Sequence, residues 1–224
     1  MGVSPFDAVV FDLDHTIATP EQSAEMLYEG AFERADLPVV GDPEDLWSAL
    51  AGPPPAEDER AFLAAGFQRV LAQYDHDGDS DALAAGFLDV VDYGAVSFVP
   101  GAREALDAAA EAGLVGLLTN GPERRQQPKL RTLQLESTFD AVVYAADLGF
   151  RKPDSRPFEH AIDLLGTSPE RTLYVGNSLE YDVGGAQAAG WPVAWYRADG
   201  ESDPGEYDPE FVLDSLADLA EVLR

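Results

Sequence analysis

Asp12 and Asp14 stand one residue apart where the apolar run Val9-Val10-Phe11 ends, and Thr16 follows shortly after. Side chains two apart on a strand point the same way, so the two carboxylates face one point if strand geometry persists to that end. Carboxylates brought that close repel and raise a pKa unless a cation lies between them. Hard oxygen ligands favour magnesium or calcium, so the pair implies either a divalent metal or a shared proton. On a polar turn, Asp-x-Asp is ordinarily a solvated loop; the buried-strand run before it sets this copy apart.

Three further groups invite the same question. Thr119-Asn120-Gly121 follows the apolar run Leu114–Leu118. A hydroxyl beside a glycine presents donors to an anion, although the tripeptide is also a common turn. Lys152 lies in Arg151-Lys152-Pro153-Asp154, and Lys129 is the chain's only other lysine. Gly176-Asn177-Ser178 ends another apolar run, with Asp182 four residues on and Gly184, Gly185, Ala186 and Gly190 beyond, small residues suited to close helix–sheet packing.

These groups need a frame. Strands are predicted at 7–11, 114–118, 141–144, 172–175 and 193–196. Leu63, Phe67, Val70, Leu71 and Tyr74 keep a helical period, as do Leu83, Phe87, Val90 and Val91. Segments 21–37 and 43–51 also read as helical, with Pro20 and Pro43 near their starts. Gly52-Pro53-Pro54-Pro55 interrupts this block. Ala102–Ala112 reads as a helix closed by Gly113, Glu123–Leu135 as a helix broken near Pro128, and Phe158, Ile162 and Leu165 mark another. A closing helix is expected over Leu213–Leu223 after an acidic loop at 199–208. Alternating strands and helices imply an α/β fold: a Rossmann-like parallel sheet core over 1–18 and 97–224, with an all-helical domain inserted over 19–96. In such sheets the ligand site lies at the carboxyl ends of the strands, where all four groups fall.

Taken in this order, the four groups resemble the motifs of the haloacid dehalogenase (HAD) superfamily, across about 140 residues of core. The helical insertion resembles its type-1 cap. Thr119-Asn120-Gly121 with Gln127 and Lys129, then Arg151–Asp154, looks like the branch containing pyrimidine nucleotidases and sialic-acid 9-phosphatases. The resemblance implies magnesium-dependent hydrolysis of a small phosphomonoester through an aspartyl-phosphate. Asp12 would be the nucleophile, and Asp14 the general acid and then base. Lys152 would balance charge, and Thr119 and Asn120 would hold phosphate oxygens, with His15 touching substrate. The magnesium ligands would be Asp12, the Asp14 carbonyl, Asn177 and Asp182. Most phosphatases of this kind carry Gly-Asp-Ser where this chain has Gly176-Asn177-Ser178, so one metal-binding charge is missing. The alternatives on the same fold are a 2-haloacid dehalogenase, which uses the nucleophile without metal and lacks the second aspartate, a phosphotransferase or mutase, and a weakly active ligand-binding relative.

Composition narrows the setting. The net charge is −28, from 42 acidic and 14 basic residues spread along the 224-residue chain. Such a surface repels itself unless salt screens it, and with lysine so scarce it reads as a protein of a salt-accumulating halophile. No basic patch suits nucleic acid, and no apolar run is long enough for a membrane span. Without cysteine, disulfides, thiolate metal sites and cysteine nucleophiles are excluded. The short polar N-terminus lacks a signal-peptide pattern, so a cytoplasmic monomer or homodimer is expected. Asp75, Asp77, Asp79 and Asp81 resemble a calcium loop, but Ser80 and Gly86 stand where glycine and an acid are required, which favours a solvated turn. His160, beside Phe158, reads as structural or exposed.

Overall fold

The protein is described by a computed structural model covering residues 4–50, 58–198, 200 and 203–224. The proline-rich break at 52–55 lies outside the described residues. Contacts divide the chain into two compact units, Met1–Thr19 with Val96–Arg224, and Pro20–Ala95.

The first unit is built on a six-stranded parallel sheet: β1 (Ala8–Phe11), β4 (Leu114–Thr119), β5 (Ala141–Tyr144), β6 (Thr172–Gly176), β7 (Val193–Tyr196) and β8 (Phe211–Leu213). Its order is β5-β4-β1-β6-β7-β8, so β1 is central, with Phe11 level with both Leu117 and Val175. β2 (Ala18–Pro20) and β3 (Val96–Phe98) form a separate two-stranded ribbon where the chain leaves this unit and returns.

Alternation along the strands makes two cores. Val9, Phe11, Val115, Leu117, Leu173 and Val175 pack on one face with α5 (Ala102–Ala112) and α9 (Leu219–Val222). Val10, Leu118 and Tyr174 pack on the other with Phe158 of α7 (Arg156–Leu165) and Trp191. Burial on both faces is why these strands read as continuous apolar runs. The remaining helices of this unit are α6 (Glu123–Thr132) and the short α8 (Gly185–Ala188). The second unit packs α1 (Ala24–Arg34), α2 (Pro43–Ala49), α3 (Glu59–Gln73) and α4 (Ser80–Val90) around Tyr28, Phe32, Phe67 and Phe87. Asp79 caps α4, and Asp81 pairs with Arg60, so two of the four calcium-loop candidates serve local structure.

Three expectations change. The closing helix over Leu213–Leu223 is instead the edge strand β8, a 3-10 turn at Leu216–Asp218 and the single-turn α9. Its apolar residues satisfy a short edge strand as well as a helix face, and length alone does not separate the two. Pro128 does not break α6, which is anchored on either side of it by the buried Gln126 and Leu130. Tyr74, expected on the buried stripe of α3, is 45% exposed just beyond the helix end.

Candidate active site

β1 ends at Phe11, and the chain turns after Leu13. The Leu13 carbonyl accepts from the amides of Thr16, Ile17 and Ala18, and His15 takes the left-handed φ of 61°. The sheet pairing continues through the Asp12 amide, which donates to the Val175 carbonyl at 2.9 Å, and Asp14 bridges Ala18, so the loop wound on Leu13 follows the two aspartates that line one cavity. No backbone hydrogen bond falls on the Asp14 carbonyl among the described residues.

Asp12, Asp14, His15, Thr119, Asn120, Lys152, Asn177 and Asp182, all singled out from sequence, line one cavity of about 220 Å³. Lys152 is its hub. The ammonium donates to Asp12 Oδ1 at 2.6 Å, Asp182 Oδ1 at 2.7 Å, the Tyr174 hydroxyl at 2.7 Å and the Leu118 carbonyl at 3.1 Å. Its side chain is 2% exposed, as is that of Asp182. A buried ammonium with two carboxylates is costly to build and costlier to break, since removing one partner strands the others' charge. Reciprocal bonds hold Lys152 in place: its amide donates to Asn120 Oδ1 at 2.7 Å and Asn120 Nδ2 donates to its carbonyl at 3.1 Å. The Asn120 side chain thus joins two loops.

Asp182 is reached through Gly176. A Cβ at position 176 would lie 2.4 Å from Asp182 Cγ, so only glycine leaves that carboxylate its place. Ser178 N donates to Asp182 Oδ2 at 2.9 Å, which leaves both oxygens of Asp182 engaged. Asn177 Oδ1 accepts from the Thr16 hydroxyl at 3.2 Å.

Burial pushes the Asp12 carboxyl up to about 7, with Asp182 and Asp14 adding to the rise and Lys152 opposing it. Burial alone would lower Lys152, but the charges of Asp12 and Asp182 outweigh it and hold the ammonium above its usual range. Burial, then the neighbouring carboxylates, raise the Tyr174 hydroxyl well above the ordinary phenol range. Asp14 is held below the usual carboxylate range: burial works against ionisation, but Lys129 and the Gln126 amide more than offset it.

Tyr174, Gln126 and Lys129 complete the site. Tyr174 lies within an apolar strand run and carries no polar signal. Lys129 stands out as one of two lysines, and both bind carboxylates here. The amide on Asp14 is that of Gln126, which sequence reasoning did not single out; its neighbour Gln127 bonds toward Tyr144. A three-residue step back from Lys129 along a helix face would have found it.

The donor chemistry suits a hard cation. Asp12 Oδ2 meets no donor among the described residues, and the Asp14 carbonyl is free of backbone bonds. Asn177 adds a neutral oxygen, while Asp182 reaches a metal only by exchanging a present partner. Three carboxylates against two ammoniums leave one net negative charge, which a divalent ion reverses. Among the described residues, no three Asp, Glu, His or Cys side chains form a ready cage. A metal that keeps several waters fits this sparse set.

The haloacid dehalogenase-like hydrolase model matches residues 6–190. The chain belongs to this family of hydrolases. It is 24% identical to the HAD-hydrolase YfnB of Bacillus subtilis over 98% of this chain and 96% of that protein. Against the glyceraldehyde 3-phosphate phosphatase of Pyrococcus furiosus, identity is 28% over 96% and 92% of the two lengths. The crystal structure of YfnB bound to magnesium superposes with a TM-score of 0.75, covering 97% of this chain and 98% of that one at 22% identity.

Proposed function

We propose that this hydrolase cleaves a small phosphomonoester in a magnesium-dependent reaction through an aspartyl-phosphate on Asp12. The observation that carries the reading is the asymmetric engagement of Asp12. Lys152 holds Oδ1 at 2.6 Å, and Oδ2 meets no donor among the described residues, in a side chain that lines the cavity with Asp14, Thr119 and Asn177. One oxygen is anchored and the other is available to attack phosphorus, as covalent catalysis requires.

Asp14, a carboxylate in the free site, must take up a proton as the ester binds; it gives that proton to the leaving alcohol and regains one from the water that hydrolyses the phosphoenzyme. Thr119 and the Asn120 backbone hold phosphate oxygens. Lys152 keeps Asp12 oriented and offsets negative charge beside the phosphorus. Asp12, the Asp14 carbonyl and Asn177 would hold magnesium, which supplies Lewis-acid stabilisation of the transferring group. His15, exposed at the cavity edge, is placed to touch the ester's alcohol part. The helical unit Pro20–Ala95 takes the place in the chain of the type-1 cap that the sequence resembles. The phosphatase names of several relatives and the magnesium in the YfnB crystal support this reading. The charge of −28 supports a halophilic, cytoplasmic setting.

Wild-type protein in molar potassium chloride is assayed with p-nitrophenyl phosphate, with magnesium or with excess chelator, and separately with 2-chloropropionate. Magnesium-dependent phosphate release without chloride release is expected. Turnover undiminished in chelator, or chloride release alone, would overturn the proposal. A panel of phosphate esters then identifies the substrate.

A further inference from the structure

We infer that Gln126 and Lys129, neighbours on one face of α6, are positioning residues that fix the carboxyl of Asp14 for its proton transfers with the leaving alcohol and water and turn the hydroxyl of Thr119 toward the phosphate. The inference rests on the phosphatase reading and adds two residues to it. Gln126 Nε2 donates to Asp14 Oδ2 at 2.9 Å and to Thr119 Oγ1 at 2.8 Å. Lys129 Nζ pairs with Asp14 Oδ1. Each oxygen of Asp14 thus has its own donor from α6, and the carboxylate cannot rotate without losing one.

The same amide determines what Thr119 can do. Its hydroxyl oxygen receives Gln126 Nε2 and, at 3.4 Å, the Gly121 amide. With N–H groups on its lone pairs, the hydroxyl proton is left to donate, and Thr119 lines the cavity of Asp12. Gln126 therefore converts an ambivalent hydroxyl into a donor suited to a phosphate oxygen.

Two features show that packing alone does not explain this arrangement. Gln126 is 2% exposed, yet its Oε1 meets no donor among the described residues. An unsatisfied buried acceptor asks for an explanation, and turning the amide over would set that oxygen against Thr119 Oγ1 and the Asp14 carboxylate. Gly121 is shaped to the same end: a Cβ there would lie 2.2 Å from Gln126 Nε2. The second loop keeps its glycine so that this amide can reach both partners. The helix is seated to match, since the Glu123 amide at its start donates to Asp147 Oδ2 at 2.7 Å.

The test uses full-length Gln126→Met, Lys129→Met, Lys129→Arg and Gly121→Ala in molar potassium chloride. kcat and KM are measured with p-nitrophenyl phosphate, and binding of inorganic phosphate by calorimetry. Gln126→Met should lower kcat about ten- to a hundredfold, the range for losing hydrogen bonds to a charged group, and weaken phosphate binding. Thr119→Val should cost less in the Gln126→Met background than in wild type, because the two act as one unit. Lys129→Met should lower kcat with KM little changed, and Lys129→Arg should restore part of it. Gly121→Ala should reproduce the Gln126→Met defect, and it carries the test if Gln126→Met does not fold. Unchanged kcat and phosphate affinity in folded Gln126→Met and Gly121→Ala, or additive effects with Thr119→Val, would overturn the inference. A wild type without turnover would overturn the phosphatase reading alone. Phosphate calorimetry would still decide the Gln126–Thr119 link: weaker binding in the variants upholds it, and equal binding refutes it.

Discussion

Replacing Lys152 with methionine removes one ammonium and leaves its two carboxylates buried. The Asp12 side chain is 10% exposed and that of Asp182 is 2% exposed, so water cannot take the place of the lost cation. Stranding buried charge in this way costs about 3–5 kcal/mol. For a chain of this size, that corresponds to a fall in Tm of roughly 6–20 °C at neutral pH. The cost must depend on pH. Without the ammonium, the Asp12 carboxyl, already pushed up to about 7, is raised further above its unfolded value, and a folded state that holds a proton more tightly loses stability as pH rises through that range. The Tm deficit of Lys152→Met against wild type should therefore be small near pH 5 and large near pH 8. Adding Asp182→Asn should recover part of it at pH 8. Thermal unfolding followed by circular dichroism in molar potassium chloride reads this directly, since salt screens buried pairs far less than surface ones. A deficit under about 1 kcal/mol, or one equal at both pH values, would refute a charged Asp12–Lys152–Asp182 hub.

Three other outcomes follow from the same geometry. Gly176→Ala places a Cβ 2.4 Å from Asp182 Cγ, so denaturant unfolding should show a loss of about 1–3 kcal/mol and activity should fall with it; an unaffected variant would mean Asp182 is not held as described. Because the Asp12 proton, held up to about 7, must leave before a metal binds, magnesium affinity by calorimetry should weaken roughly tenfold per pH unit below that value, and Asp12→Asn should abolish this dependence. With 42 acidic and 14 basic residues, Tm should rise steeply from tens of millimolar to molar potassium chloride, whereas a salt-independent Tm would contradict the halophilic reading.

What could be read from the chain alone follows from how far each signal reaches. Strands buried in the sheet announce themselves as unbroken apolar runs, so β1, β4, β5, β6 and β7 were visible, and with them Thr119 at the end of β4 and the loops bearing Asp12, Lys152 and Asn177. β8 was not, because three residues carry no period. Asp12 and Asp14 do line one cavity, but the turn that follows them, wound on the Leu13 carbonyl, depends on hydrogen bonds that residue types do not encode. Tyr174 was hidden because its ring belongs to the core and only its hydroxyl belongs to the site. Gly176 and Gly121 looked like packing or turn residues. Their purpose appears only when the Asp182 and Gln126 side chains are seen occupying the space a Cβ would need.

The central claim is that Asp12 carries the phosphoryl group. During steady-state turnover of a phosphate ester with magnesium in molar potassium chloride, the wild-type protein is quenched in acid, digested and analysed by mass spectrometry. The expected result is a phosphorylated peptide whose modified residue is Asp12, absent from Asp12→Asn, which folds but does not turn over. Continued turnover by Asp12→Asn, or a phosphoryl group found on another residue, would contradict it.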